Sequence, residues 1–197
     1  LSTTVGYASY PDNVGREFVR LSAEGGIDVF RIFDSLNWLP SMEVAIDEAL
    51  KQNKFVEGTI CYTGEITDTS RNYTLKYYVD MAKELQKMGC HSITIKDMSG
   101  LLKPYSAKVL VSGLKDALDI PIHLHTHDTT GNQVATTLMA AEAGVDIADL
   151  AISSMSSLTS QPSMNAVVAA LEGQERDTGL SLMELQKLTD YWADVRE

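Results

Sequence analysis

Residues 92–127 read SITIKDMSGLLKPYSAKVLVSGLKDALDIPIHLHTH, two apolar runs separated by one helix-length segment. The stretch opens on SITIK and closes on IPIHLHTH, two short runs rich in β-branched residues, each of strand length. Between them Pro104 stands where a helix begins, at a position whose missing N–H costs nothing, and Val109, Leu110 and Leu114 recur at helical spacing. Strand, helix and strand in this order form the unit from which parallel sheets are built.

Outward from this stretch the same unit recurs. Residues 27–33 (IDVFRIF), 55–61 (FVEGTIC), 92–96, 120–127 and 145–152 (VDIADLAI) read as strands. Val14, Phe18 and Leu21, then Val44, Ile46 and Leu50, then Val79, Met81, Ala82 and Leu85, and finally Val134, Leu138 and Ala141 mark helices around and between them. Pro11, Pro40 and Pro162 sit at helix starts like Pro104, and Gly25, Gly26, Gly89 and Gly144 close helices where a left-handed cap is needed. VGYA at 5–8 reads as a further strand end, and 162–171 and 182–195 as two closing helices. Strand centres recur roughly every 25–35 residues, the length of one strand–helix unit. No linker interrupts the series, so residues 1–197 form one domain. The fold class is α/β. Counting leaves an open sheet or an incomplete (β/α)8 barrel with about five of eight units, since a whole barrel takes about 250 residues; the chemistry of the strands favours the barrel.

Charge narrows the function. Sixteen Lys and Arg face 27 Asp and Glu, a formal net charge of −11, which disfavours nucleic acid and anionic membrane as partners. Two cysteines, Cys61 and Cys90, make no disulfide framework, so a reducing, cytoplasmic setting is expected. No leader pattern opens the chain and no apolar run approaches the ~18 residues of a membrane span. The sequence shows no glycine-rich phosphate loop, nucleophile elbow or dinucleotide fingerprint, so ATP or NAD chemistry is not expected of this segment.

The densest chemical signal is PIHLHTHD at 121–128. His123, His125 and His127 alternate with Ile122, Leu124 and Thr126, which on a strand puts all three imidazoles on one face. The last two are near enough to bind one divalent ion, imidazole being a common nitrogen ligand for Zn, Mn or Fe. The plainer alternative is a polar strand end of hydrogen-bonded histidines. His91 reads as a surface residue. Lys96 ends the strand SITIK, where an ammonium is costly unless paired or neutralised. Spacing alone favours an ion pair with Asp34 or Asp97. The other reading is a desolvated amine that takes up carbon dioxide as a carbamate, a hard oxygen ligand that complements two histidines. Polar residues also follow the other strands, Asp34 after the first and Cys61 at the end of the second, where barrel active sites are assembled; of a pocket thiol and a small core residue, Cys61 by itself reads as the latter.

At SITIKDMSGLLKP and IPIHLHTHDTTG the chain resembles the carboxyltransferase domain of pyruvate carboxylase, a family shared with oxaloacetate decarboxylase alpha subunits and transcarboxylase 5S subunits. VGYASYPDNV, DVFRIFDSLNWLP, ICYTGEI, AAEAGVDIADLAISSMS, LTSQPSMNA and ERDTGL extend the resemblance nearly end to end. Ser153 stands where pyruvate carboxylases usually carry Asp, and Ser157 where Gly is usual. The resemblance implies an eight-stranded barrel with Mn or Zn at its mouth. Lys96 (carboxylated), His125 and His127 would be metal ligands, Tyr7 a catalytic residue near the biotin pocket, and Asp34 and Cys61 residues on the substrate side. It implies carboxyl transfer from carboxybiotin, carried on a separate carrier domain, to pyruvate, giving oxaloacetate, in a homotetramer. The segment by itself is expected to be inactive. The alternatives are a decarboxylase or transcarboxylase running related chemistry, and a non-catalytic barrel fragment.

Overall fold

The computed structural model describes Gly6 and residues 8–196. Tyr7 lies outside the described residues, as does most of the strand end expected at 5–8. Strands β1 (Val29–Ile32), β2 (Phe55–Cys61), β3 (Ser92–Asp97), β4 (Ile122–Thr126) and β5 (Ile147–Ala148) alternate with helices α1 (Asp12–Glu24), α2 (Leu39–Lys51), α3 (Leu75–Lys87), α4 (Pro104–Ala117) and α5 (Gln133–Glu142). A 3-10 turn (Ser153–Met155), α6 (Met164–Leu171) and α7 (Leu182–Arg196) follow.

The five strands form one parallel sheet in the order β1-β2-β3-β4-β5. The order never reverses, so successive crossovers run one way and lay the helices on a single face. This is the winding of a (β/α) barrel, with five consecutive units present, and not that of a doubly wound open sheet.

The helix-facing side of the sheet holds the hydrophobic core. Val56, Ile60 and Tyr62 of the β2 region, Ile93 and Ile95 of β3, and Ile122 and Leu124 of β4 join one buried cluster with Met42 and Ile46 from α2, Tyr78 and Leu85 from α3, and Leu110 and Leu114 from α4. Each such side chain gains about 1.5–3 kcal/mol on leaving water. Alternation then turns Glu57, Cys61, Lys96, His123 and His125 to the opposite, inner face.

Several boundaries differ from the sequence reading. Strand β5 has two residues, not the eight of 145–152, because the chain leaves β4 after Asp149: the Ala151 N–H donates to the Pro162 carbonyl at 3.1 Å, and the Met164 N–H to Ala151 at 2.8 Å. That use of Pro162 starts α6 two residues later than expected, with the Ser163 hydroxyl capping the Ala166 N–H at 3.3 Å. Gly25 is right-handed (φ −71°), and the left-handed turn falls on Gly26 (φ +107°), while Gly89 and Gly144 take the left-handed conformation as read.

Candidate functional site

The inner face becomes chemically dense at the carboxyl ends of β2, β3 and β4. Cys61, Lys96 and His125 are register partners across the three strands, so their Cα atoms stand side by side. His127 follows His125 on the same face, and the two Nε2 atoms approach to 3.4 Å. Their far sides are tied off. His125 Nδ1–H donates to Asp149 Oδ2 at 2.7 Å, and His127 Nδ1–H donates to the Thr159 carbonyl at 2.6 Å. A carbonyl or carboxylate oxygen only accepts, so each ring holds its proton on Nδ1 and turns an Nε2 lone pair toward the other. Two facing lone pairs repel unless a cation or a proton stands between them. Two nitrogens bound to one tetrahedral ion at ordinary bond lengths would stand about 3.4 Å apart. The pair therefore fits a divalent ion. Among the described residues no cluster of three or more His, Cys, Asp or Glu converges in that way, so a further protein donor would come from a residue of another type.

Lys96 is the register partner of His125 and lies on the same face of the sheet. Its ammonium lies 5.0 Å over the Phe33 ring, and among the described residues it makes no ion pair. The ion pair with Asp34 or Asp97 that spacing favoured is not formed, because both carboxylates are committed elsewhere. Asp34 Oδ2 accepts from the Leu36 and Trp38 N–H groups at 2.9 and 3.0 Å, turning the chain into α2. Asp97, fully buried, accepts from the Leu101 and Leu102 N–H groups at 3.0 and 2.7 Å and organises the loop after β3. Gly100 of that loop has φ +67°, and a Cβ there would sit 2.7 Å from the His127 carbonyl oxygen, so only glycine lets the loop press against the histidine strand. Cys61 is fully buried, with its sulfur 3.5 Å from the Asp34 carbonyl; burial pushes the thiol up, an effect that Lys96 opposes. Thus Lys96, His125, His127 and Cys61 share one region, Asp34 borders it through its backbone, and Tyr7 is outside the described residues.

Below this layer lies a charged network that the sequence reading missed. His123, buried, donates from Nδ1 to Glu57 at 2.9 Å and from Nε2 to Asp149 Oδ1 at 2.7 Å. Both nitrogens are engaged by carboxylates, and an Arg31 N–H group lies 3.1 and 3.3 Å from them, so neither is left free for a metal. Burial alone would lower its pKa, but the bonds to Asp149 and Glu57 outweigh this and raise it. Arg31 spans the two carboxylates, 2.7 Å from each. Burial would raise the Asp149 pKa, yet hydrogen bonds from His123, His125 and Arg31 hold it far below the usual carboxylate range. The signal for these residues was present. Arg31 in VFRIF, Glu57 in FVEGTIC and Asp149 in DIADL are charges set inside otherwise apolar strand segments. His91, by contrast, has a structural role, stacking on Phe55 and accepting the Val56 N–H at 3.0 Å.

Fold and site together define the class: consecutive units of a (β/α) barrel with a polar inner face and a histidine pair at its mouth. A family model described as HMGL-like matches residues 40–191, and the chain belongs to the HMGL-like family. It is 54% identical over 197 residues to the pyruvate carboxylase of Bacillus subtilis, covering all of this chain and 17% of that protein. It is 47% identical over 197 residues to the mitochondrial pyruvate carboxylase of Homo sapiens, covering 99% of this chain and again 17% of the relative. Among solved structures, the carboxyl transferase domain from Rhizobium etli pyruvate carboxylase with pyruvate and biocytin superposes with a TM-score of 0.96 at 51% identity, over 98% of this chain and 33% of that one. The chain thus spans about one sixth of the curated relatives and one third of the domain structure it matches.

Proposed function

We propose that residues 1–197 are part of the carboxyltransferase domain of a pyruvate carboxylase, supplying the histidine side of a metal centre that moves a carboxyl group from carboxybiotin to pyruvate. The observation that carries this reading is the convergence of His125 and His127 Nε2 at 3.4 Å, with both Nδ1 atoms tied off, beside a lysine without an ion-pair partner among the described residues. His125, His127 and Lys96, the last as a carbamate, would hold a divalent ion, Mn or Zn. Bound there, the ion would act as a Lewis acid on the ketone oxygen of pyruvate. The protein groups do the positioning. Thr159 and Asp149 fix the imidazoles, while Cys61 and Asp34 border the substrate side. Lys96 would gain its carboxylate by attack of the neutral amine on carbon dioxide, with loss of one proton. Tyr7 would serve on the biotin side.

Biotin on a carrier domain, pyruvate and oxaloacetate as substrate and product, a homotetramer and a reducing cytoplasm complete the proposal; two buried unpaired thiols, Cys61 and Cys90, suit the last. The relatives named above are pyruvate carboxylases, which favours this reading over a decarboxylase or transcarboxylase. The test is oxaloacetate formation from pyruvate and carboxybiotin, with metal analysis, on the full-length polypeptide that carries this sequence. Turnover with about one divalent ion per chain is expected, and a metal-free, inactive protein would refute the reading. The 197-residue chain by itself is expected to give no turnover, since Val29 on one edge strand, Phe33 just after it and Ile147 on the other edge strand remain about half exposed.

A further inference from the structure

Asp149 divides its carboxylate between two histidines of different character. Oδ1 holds His123, whose ring is fixed between Asp149 and Glu57, and Oδ2 holds Nδ1 of His125, whose other nitrogen faces His127. Arg31 donates to Oδ2 at 2.7 Å, and its Nε reaches Glu57 at the same distance, so Asp149 cannot rotate away without breaking contacts to three cationic or donor groups. His125 by itself has no preference strong enough to choose between its two neutral tautomers, and a proton on Nε2 would remove the lone pair that the site needs. The bond from Nδ1 to Asp149 makes that choice, as outer carboxylates do for ligating histidines generally.

We propose that Asp149 is the positioning residue of this centre: it fixes the tautomer and ring plane of His125, and the Arg31–Glu57–His123 cluster beneath it serves to hold its carboxylate in place. This rests on the metal-centre reading above and extends it to a side chain that touches neither substrate nor metal. It also gives a reason for four charged groups on the inner face of a barrel, a region that such folds otherwise fill with branched apolar side chains.

The experiment is metal affinity, by chelator competition with Zn and with Mn, together with the melting temperature of the metal-free form. It uses the full-length polypeptide and its variants Asp149→Asn, Asp149→Glu and Leu85→Ala. Asp149→Asn can present an amide N–H to His125 and stabilise the wrong tautomer; about 10–100-fold weaker binding is expected. Asp149→Glu keeps the charge facing Arg31 and His123 but displaces the oxygen from His125; about tenfold weakening is expected with the fold retained, so it carries the test if the Asn variant does not fold. Leu85→Ala, in the helix-side core, lowers the melting temperature but should leave the affinity of the folded protein within about threefold. Either Asp149 variant binding like the parent while the parent binds normally would overturn the positioning role alone, as would equal weakening in Leu85→Ala. A parent that binds no divalent ion would overturn the metal-centre reading and this inference with it.

Discussion

Strands β2, β3 and β4 carry two unlike faces. Toward the helices, Val56, Ile60, Ile93, Ile95, Ile122 and Leu124 are almost completely buried. At alternate positions of the same strands stand Glu57, Thr59, Cys61, Thr94, Lys96, His123 and His125, and the hydroxyls of Thr59 and Thr94 are buried without a hydrogen-bond partner among the described residues. Parallel strands covered on both faces usually read as continuous apolar runs. Buried charges and hydroxyls cost free energy that apolar side chains of similar size would not. The helix side therefore accounts for the fold, and the inner side for something the fold does not need.

That contrast can be broken most severely at the histidine pair. The double variant His125→Ala, His127→Ala, made in the full-length polypeptide, is expected to lose bound metal and at least about 100-fold in carboxyl transfer, while circular dichroism and the metal-free melting temperature stay near the parent's. Metal analysis beside a thermal melt checks this. A fold that collapses with the pair would merge the two faces into one structural unit.

The opposite face should give the opposite pattern. Leu85 is fully buried under β2 and β3, and Leu85→Ala should cost about 2–5 kcal/mol in chemical denaturation, with no change in metal per folded chain.

A smaller, pH-dependent effect is expected from Glu65, which ties the loop after β2 to α4. Burial would raise its pKa, but the Ser106 hydroxyl at 2.6 Å and the Lys103 ammonium at 3.1 Å outweigh this and bring the carboxyl down to about 2, against an ordinary value of 4.5. A depressed carboxylate contributes stability that is fully present above about pH 4.5 and is lost as pH falls toward 2. Denaturation midpoints of the parent and Ser106→Ala should thus differ at pH 6 and converge in acid; a gap that widens on acidification would contradict the assignment.

The smallest expected effect is at Ser157, which holds φ +75° in the loop whose Thr159 carbonyl orients His127. Ser157→Gly relieves a left-handed backbone and should stabilise by about 0.5–1 kcal/mol in equilibrium unfolding.

Much of this was legible in the residues themselves. Period-two alternation in IHLHTH and the strand–helix punctuation by Pro104 and the glycines carried the architecture, because local chemistry fixes both. The bounds of β2 are those of FVEGTIC. What sequence could not supply was register and long-range pairing. Whether Lys96 meets Asp34 or Asp97 depends on how each carboxylate is used by its own loop, and the two-residue β5 depends on Ala151 pairing with residues 162–164. The Arg31–Glu57–His123–Asp149 cluster joins four strand segments far apart in the chain. Each member showed only as a charge in an apolar run, and none announced its partners.

Whether His125 and His127 share one divalent ion is decided by anomalous diffraction at the metal absorption edge from crystals of the full-length polypeptide grown with Mn or Zn. One strong peak is expected within about 2.3 Å of both His125 Nε2 and His127 Nε2, with density extending the Lys96 amine toward it. No peak in protein that turns over, or a peak remote from these two nitrogens, would contradict the shared site.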